Sequence, residues 1–183
     1  VKDFGPGDVW YFPRGHGHSI QGLGNEECHF VLVFDSGYFS EFATFSMTDW
    51  LAQTPKEVLA KQFNLPVETF NNFPKKEVYI AQGPVPEALP LDPPPASQNP
   101  PPLTHRFRLG AKVPEVVPGG TFNVVTQKDF PISATMSGAI LKLKPLAIRE
   151  MHWHPNADEW QYYIKGRARM TVFGSKGRKI TRE

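Results

Sequence analysis

The stretch His152-Trp153-His154-Pro155-Asn156-Ala157-Asp158-Glu159 decides how this sequence is read. Alternate residues of an extended strand point to the same face. His152 and His154 therefore project together, and Trp153 faces away. Pro155-Asn156 supplies a turn that brings Glu159 back on the next strand. Two imidazoles and a carboxylate converging in this way form half of a metal cage. The competing reading is a β-hairpin with incidental histidines, but two same-face histidines with a carboxylate across the turn are uncommon by chance.

Working outward, the surrounding sequence reads as short strands. Candidates are Thr121 to Val125, Ser133 to Leu143, Arg149 to His154, Trp160 to Ile164 and Arg167 to Phe173. Turn residues at Gly119-Gly120, Lys165-Gly166 and Ser175-Lys176-Gly177 separate them. This spacing predicts a sandwich or barrel, without a repeat of constant period. Near the start, Val9-Trp10-Tyr11-Phe12 reads as an aromatic strand stopped by Pro13 and Gly15. Phe30-Val31-Leu32-Val33-Phe34 is short enough for a strand buried on both faces. Trp160, Tyr162, Tyr163 and Phe173 are expected in the core, and His16, His29 and His105 on the surface or in loops.

Two helices are predicted between these regions. Thr48 is placed to cap Asp49 to Gln53, and Thr54-Pro55-Lys56-Glu57 opens a helix running to Phe63, with Asn64 as a left-handed stop. Nine prolines between Gln82 and Leu103 then predict a stiff, extended connector, either a free linker or a strap across a domain.

Composition narrows the function classes. The 183 residues suffice for one core, and a formal net charge of +2 gives no field aimed at nucleic acid or an acidic membrane. No apolar run approaches the length of a membrane-spanning helix. Cys28 stands alone, so no internal disulfide framework exists, and secreted, periplasmic and cytoplasmic locations all stay open. The first residues carry no initiator Met and no signal-peptide pattern, so any leader has been removed or lies outside this sequence.

A second histidine motif lies near the start, in Gly7-Asp8-Val9-Trp10-Tyr11-Phe12-Pro13-Arg14-Gly15-His16-Gly17-His18. Together the two segments resemble the signature motifs of the cupin superfamily. His152, His154, Glu159 and Gly166 fit the form G-x5-H-x-H-x(3,4)-E-x6-G, with Leu146 in place of its first glycine. Gly7, Pro13, Gly15 and His18 fit the form G-x5-P-x-G-x2-H-x3-N, with Gly22 in place of its asparagine. Trp10-Tyr11-Phe12-Pro13, Thr48-Asp49-Trp50-Leu51 and His152-Trp153-His154-Pro155-Asn156 are similar to the two-domain cupins of the oxalate decarboxylase family.

That resemblance implies an all-β fold with a few short helices, built on a cupin barrel (a double-stranded β-helix or jelly roll). In the family the His-x-His motif precedes the other within each barrel, whereas here it follows. Residues 1–47 are accordingly expected to be the second half of a barrel with its lid, 48–81 a helical segment, 82–103 the proline-rich connector and 104–183 the first half of a barrel. The halves would close on each other as a circular permutation does, exchange between two chains of a homo-oligomer, or belong to a larger molecule. The closed barrel is the leading expectation, with His18 joining His152, His154 and Glu159.

The resemblance also implies chemistry. Manganese enters through it alone, because the donor types equally suit iron, zinc, nickel and copper. Dioxygen is the implied co-reactant and oxalate the implied substrate, with formate and carbon dioxide as products. Arg149 matches the arginine that binds oxalate, and Glu41, in the lid-like Ser40-Glu41-Phe42-Ala43-Thr44, matches the proton donor. Phe42 and Ala43 depart from the polar residues of active lids, which keeps oxalate oxidation and non-catalytic metal storage as alternatives.

Overall fold

The computed structural model describes residues 3–40, 44–84, 103–173 and 179–182. Glu41, Phe42 and Ala43 of the lid, residues 85–102 of the proline segment, and the expected turn Ser175-Lys176-Gly177 lie outside the described residues. The chain divides into two compact units, one extending to Lys142 and one from Leu143 onward.

In the first unit the aromatic segment near the start pairs with residues far along the chain. Strand β1 (Val9–Trp10) runs antiparallel to β2 (Arg106–Phe107), with Val9 opposite Phe107 and Trp10 opposite Arg106. The ladder continues past β1, where the Tyr11 N–H donates to the His105 carbonyl over 2.9 Å. At the other end of β1, Gly110 donates its N–H to the Gly7 carbonyl over 2.8 Å. The two backbones are so close that a Cβ on Gly7 would stand 3.1 Å from the Gly110 Cα. Gly7 also has φ +88, a conformation only glycine adopts without strain.

A second sheet has the order β3 (Glu115–Val117), β4 (Gly120–Val125), β5 (Gly138–Leu143). Strands β3 and β4 form an antiparallel hairpin, with Val117 opposite Gly120. The core is a cluster of Leu109, Val125 and Phe130, against which Val9, Tyr11, Phe107, Ile132 and Ile140 pack. Asn123 is buried beside it, and its amide donates to the carbonyls of Leu109 (3.2 Å) and Lys112 (2.5 Å), which satisfies both of its hydrogens. The turn after β4 is tied by Asp129, which accepts from the Thr126 N–H (3.1 Å) and from Lys112 Nζ (2.8 Å) and so directs Phe130 inward. These two donors, Lys112 first, hold the Asp129 carboxyl below the usual carboxylate range.

The helices form as the spacing predicts, with one difference in capping. Helix α1 spans Met47–Gln53, and its cap is Ser46, whose hydroxyl accepts from the Asp49 N–H, rather than Thr48. Thr48 instead accepts from the Val78 N–H over 2.9 Å. Helix α2 spans Lys56–Phe63 after Pro55 and ends at Asn64, which has φ 54 and ψ 47 and donates its N–H to the Ala60 carbonyl. Leu59 of α2 and Phe70 of the following 3-10 turn are the buried residues of this segment, and Phe73 meets Phe70 edge-on.

Several expectations about burial are corrected. Phe30 to Phe34 are each exposed and carry no strand pairing among the described residues, although Phe34 stacks on Phe39 at 3.7 Å. An all-apolar strand needs a layer on both faces, and the described residues provide neither. Trp160, Tyr162, Tyr163 and Phe173 are likewise exposed rather than in a core. His105 is half-buried, since it sits in the ladder opposite Tyr11, whereas His16 and His29 are exposed.

In the second unit β6 (Met170–Phe173) pairs antiparallel with β7 (Lys179–Arg182). Upstream, a turn closed by the Ala147 N–H and the Lys144 carbonyl (3.1 Å) holds Leu146 at φ 63. Among the described residues no helix is long and apolar enough to cross a membrane.

Candidate metal centre

The second unit carries the site. The expected strands Arg149 to His154 and Trp160 to Ile164 are not formed: residues 147–154 and 157–164 carry no strand pairing among the described residues, and Pro155-Asn156 turns the chain between them. The turn at Pro155-Asn156 returns Glu159 to His152 and His154. One ligand atom from each of His152, His154 and Glu159 lies within 4.8 Å of the other two.

The backbone orients the His152 imidazole. His152 Nδ1 donates to the Glu150 carbonyl over 2.8 Å, which fixes the tautomer and leaves the Nε2 lone pair available. The rings of His152 and His154 have centroids 5.0 Å apart and planes at 89°, so they converge without stacking. His154 Nε2 lies 3.1 Å from Glu159 Oε2. Two donors each about 2.1 Å from one ion and at right angles about it stand about 3 Å apart, a spacing that the His154 and Glu159 pair matches. The site is open, with the His154 and Glu159 side chains 49% and 42% exposed.

Glu159 is itself oriented. Its Oε1 accepts from Gln161 Nε2 over 2.5 Å, and Gln161 Oε1 accepts from the Tyr163 hydroxyl over 3.1 Å. The sequence reading missed this support, although positions 159, 161 and 163 share one face by alternation.

The other expected site residues stand as follows. Arg149 is exposed in the same unit as the trio. His18 is exposed in the first unit, where its Nδ1 donates to the His16 carbonyl over 2.9 Å and its ring stacks on Phe12 with centroids 3.9 Å apart. Glu41 lies outside the described residues.

Comparison with known proteins places this geometry in a family. The family model described as Cupin matches residues 1–71 and 109–183. Oxalate decarboxylase OxdC of Bacillus subtilis (strain 168) is 46% identical over 177 residues, covering 97% of this chain and 46% of that protein. A probable oxalate decarboxylase of Arthroderma benhamiae is 38% identical over 174 residues, covering 94% and 43%. The chain therefore spans less than half the length of these relatives. Among solved structures, Bacillus subtilis oxalate decarboxylase at pH 4.6 superposes with a TM-score of 0.72 at 43% identity, over 79% of this chain and 38% of that one. A structure concerned with the Mn(II) centres of the same enzyme gives 0.71 at 43% identity, over 79% and 38%. The paired histidines and carboxylate, the short antiparallel sheets and these matches agree: the chain has the cupin fold and belongs to the cupin family.

Proposed function

We propose that this chain carries portions of two successive metal-dependent cupin barrels of an oxalate decarboxylase, which converts oxalate to formate and carbon dioxide. The observation that carries the proposal is the convergence of His152, His154 and Glu159 in a chain 46% identical to such an enzyme. Residues 1–47 and 104–183 are read as the barrel portions, with 48–81 and 82–103 joining them.

His152, His154 and Glu159 would hold manganese, the metal of the Mn(II) centres in a similar solved enzyme. Bound there, manganese supplies positive charge and, with dioxygen, a one-electron redox couple. His18 is read as an imidazole ligand too. It lies in the first family match and the trio in the second, and a single relative about twice this length aligns with both. This supports two barrels in succession, with His18 serving the first and the trio the second.

The remaining chemistry is that of the chain's own residues. The Arg149 guanidinium binds an oxalate carboxylate through two parallel hydrogen bonds. Departure of carbon dioxide breaks the carbon–carbon bond and leaves its electron pair on the remaining carbon. Glu41 delivers a proton to that carbon, which yields formate, and recovers its proton from water.

The test is product analysis from oxalate at mildly acidic pH after loading with manganese. Formate release that falls at least about a hundredfold in E41A, with manganese still bound, supports the reading. Hydrogen peroxide and carbon dioxide without formate would mark an oxidase instead. Bound manganese with no product would mark a metal store.

A further inference from the structure

We propose that His16 and His105 form a second cation site, independent of His152, His154 and Glu159, which takes zinc or copper(II). Both residues belong to the first unit, and neither occupies a position that the two histidine motifs specify. The chain brings them together across the proline segment. The ladder between Tyr11 and His105 fixes one imidazole, and the tight turn Pro13-Arg14-Gly15 presents the other, closed by the His16 N–H donating to the Pro13 carbonyl over 3.1 Å. The ring centroids are 5.6 Å apart with planes at 59°.

Three features make this a cation site rather than a chance contact of rings. First, both imidazoles turn Nδ1 to a backbone carbonyl, His105 closely and His16 at longer range. His105 Nδ1 donates to the Tyr11 carbonyl over 2.9 Å, and His16 Nδ1 donates to the Arg14 carbonyl over 3.4 Å. Each Nε2 keeps its lone pair, as in metal sites where the second ring nitrogen is tied to a carbonyl. Second, the spacing fits a shared ion. An imidazole bound at about 2.1 Å has its ring centre about 3.2 Å from the ion, so two rings between tetrahedral and trigonal angles have centres about 5–6 Å apart. Stacked rings would be closer and parallel, as Phe12 and His18 are at 3.9 Å and 4°. Third, His105 is half-buried and held by backbone bonds, while His16 is exposed, so one ligand is preorganised and the other reaches the ion from solvent.

Donor type sets the ion. Two neutral nitrogens with water completing the shell favour copper(II) and zinc, whereas manganese is the weakest of the first-row series. The mixed nitrogen and oxygen donors of the trio discriminate less against manganese. The zinc or copper(II) site on the first unit would thus differ in preference from the trio on the second.

The test titrates zinc into the H152Q/H154Q variant, which disables the first site. Long-range proton–nitrogen NMR follows each remaining histidine ring. The expected result is that the Nε2 signals of His16 and His105 shift together with one saturation curve. H16Q or H105Q on the same background should then weaken zinc binding at least about tenfold, the loss that even an outer-shell partner brings. A shift of one ring without the other overturns the proposal. So does unchanged zinc affinity in both variants, or the absence of any shift up to about millimolar zinc. The NMR arm needs no change at either residue, so a folding defect in H105Q does not obscure the answer.

Discussion

Glu159 Oε2 lies 3.1 Å from His154 Nε2, the spacing that two neighbouring donors on one ion require. The other carboxylate oxygen is held by Gln161, so the group is aimed before any cation arrives. E159Q and H152Q should each lower manganese affinity at least about tenfold, and Q161L should cost about tenfold through loss of orientation alone. Titration with manganese, followed by metal analysis of the desalted protein, measures all three. Unchanged affinity in E159Q would remove the carboxylate from the ligand set.

His18 tests how the two family matches relate. In two successive barrels, H18Q leaves manganese binding by His152, His154 and Glu159 within about twofold of the parent, because no ligand of that ion has changed. A loss of about tenfold or more, of the kind removing a ligand brings, would instead show that His18 shares the ion and that the halves close on each other.

Leu146 gives a prediction about stability. The cupin motif opens with glycine at this position, and here a fully exposed leucine holds φ 63 in the turn before the site. A non-glycine residue in this region costs about 1–2 kcal/mol, while glycine loses about 0.5–1 kcal/mol more backbone entropy on folding. No packing is lost, so L146G should stabilise the second unit by about 0.5–1 kcal/mol. Denaturant titration reads the change as a higher midpoint, and a lower midpoint would contradict it.

Asp129 sets an acid limit on the first unit. Its carboxyl is held below the ordinary value by Lys112 and by the Thr126 N–H. A carboxylate with a lowered folded pKa adds stability above its unfolded pKa, near 3.8, and loses it as pH falls through the lower folded value. D129N should therefore be less stable than the parent near neutrality and should flatten the acid limb of a stability–pH curve. Parallel curves for the two proteins would show that Asp129 plays no such part.

What the sequence made legible was local. The left-handed stop at Asn64 follows from one residue's tolerance of positive φ, and the return of Glu159 to His152 and His154 follows from a proline turn, without the paired strands expected on either side. What it hid depends on distant partners. The bond between Tyr11 and His105 joins positions 94 apart, and no local pattern encodes it. Apolar runs such as Phe30 to Phe34 announce burial, yet burial also needs a covering layer that the run does not specify. At α1 the sequence pointed to Thr48 as the cap, and only the geometry of the first turn shows that Ser46 fills that place.

The contact between Gly7 and Gly110 makes two remote positions a single mutational unit. Any side chain at either one acts as a wedge between the same two backbones, because a Cβ there would stand 3.1 Å from the opposing Cα. Once one alanine has pushed them apart, a second has less left to disrupt. Changes at the two positions should therefore combine to less than the sum of their separate costs, and tolerance at residue 110 depends on what residue 7 carries.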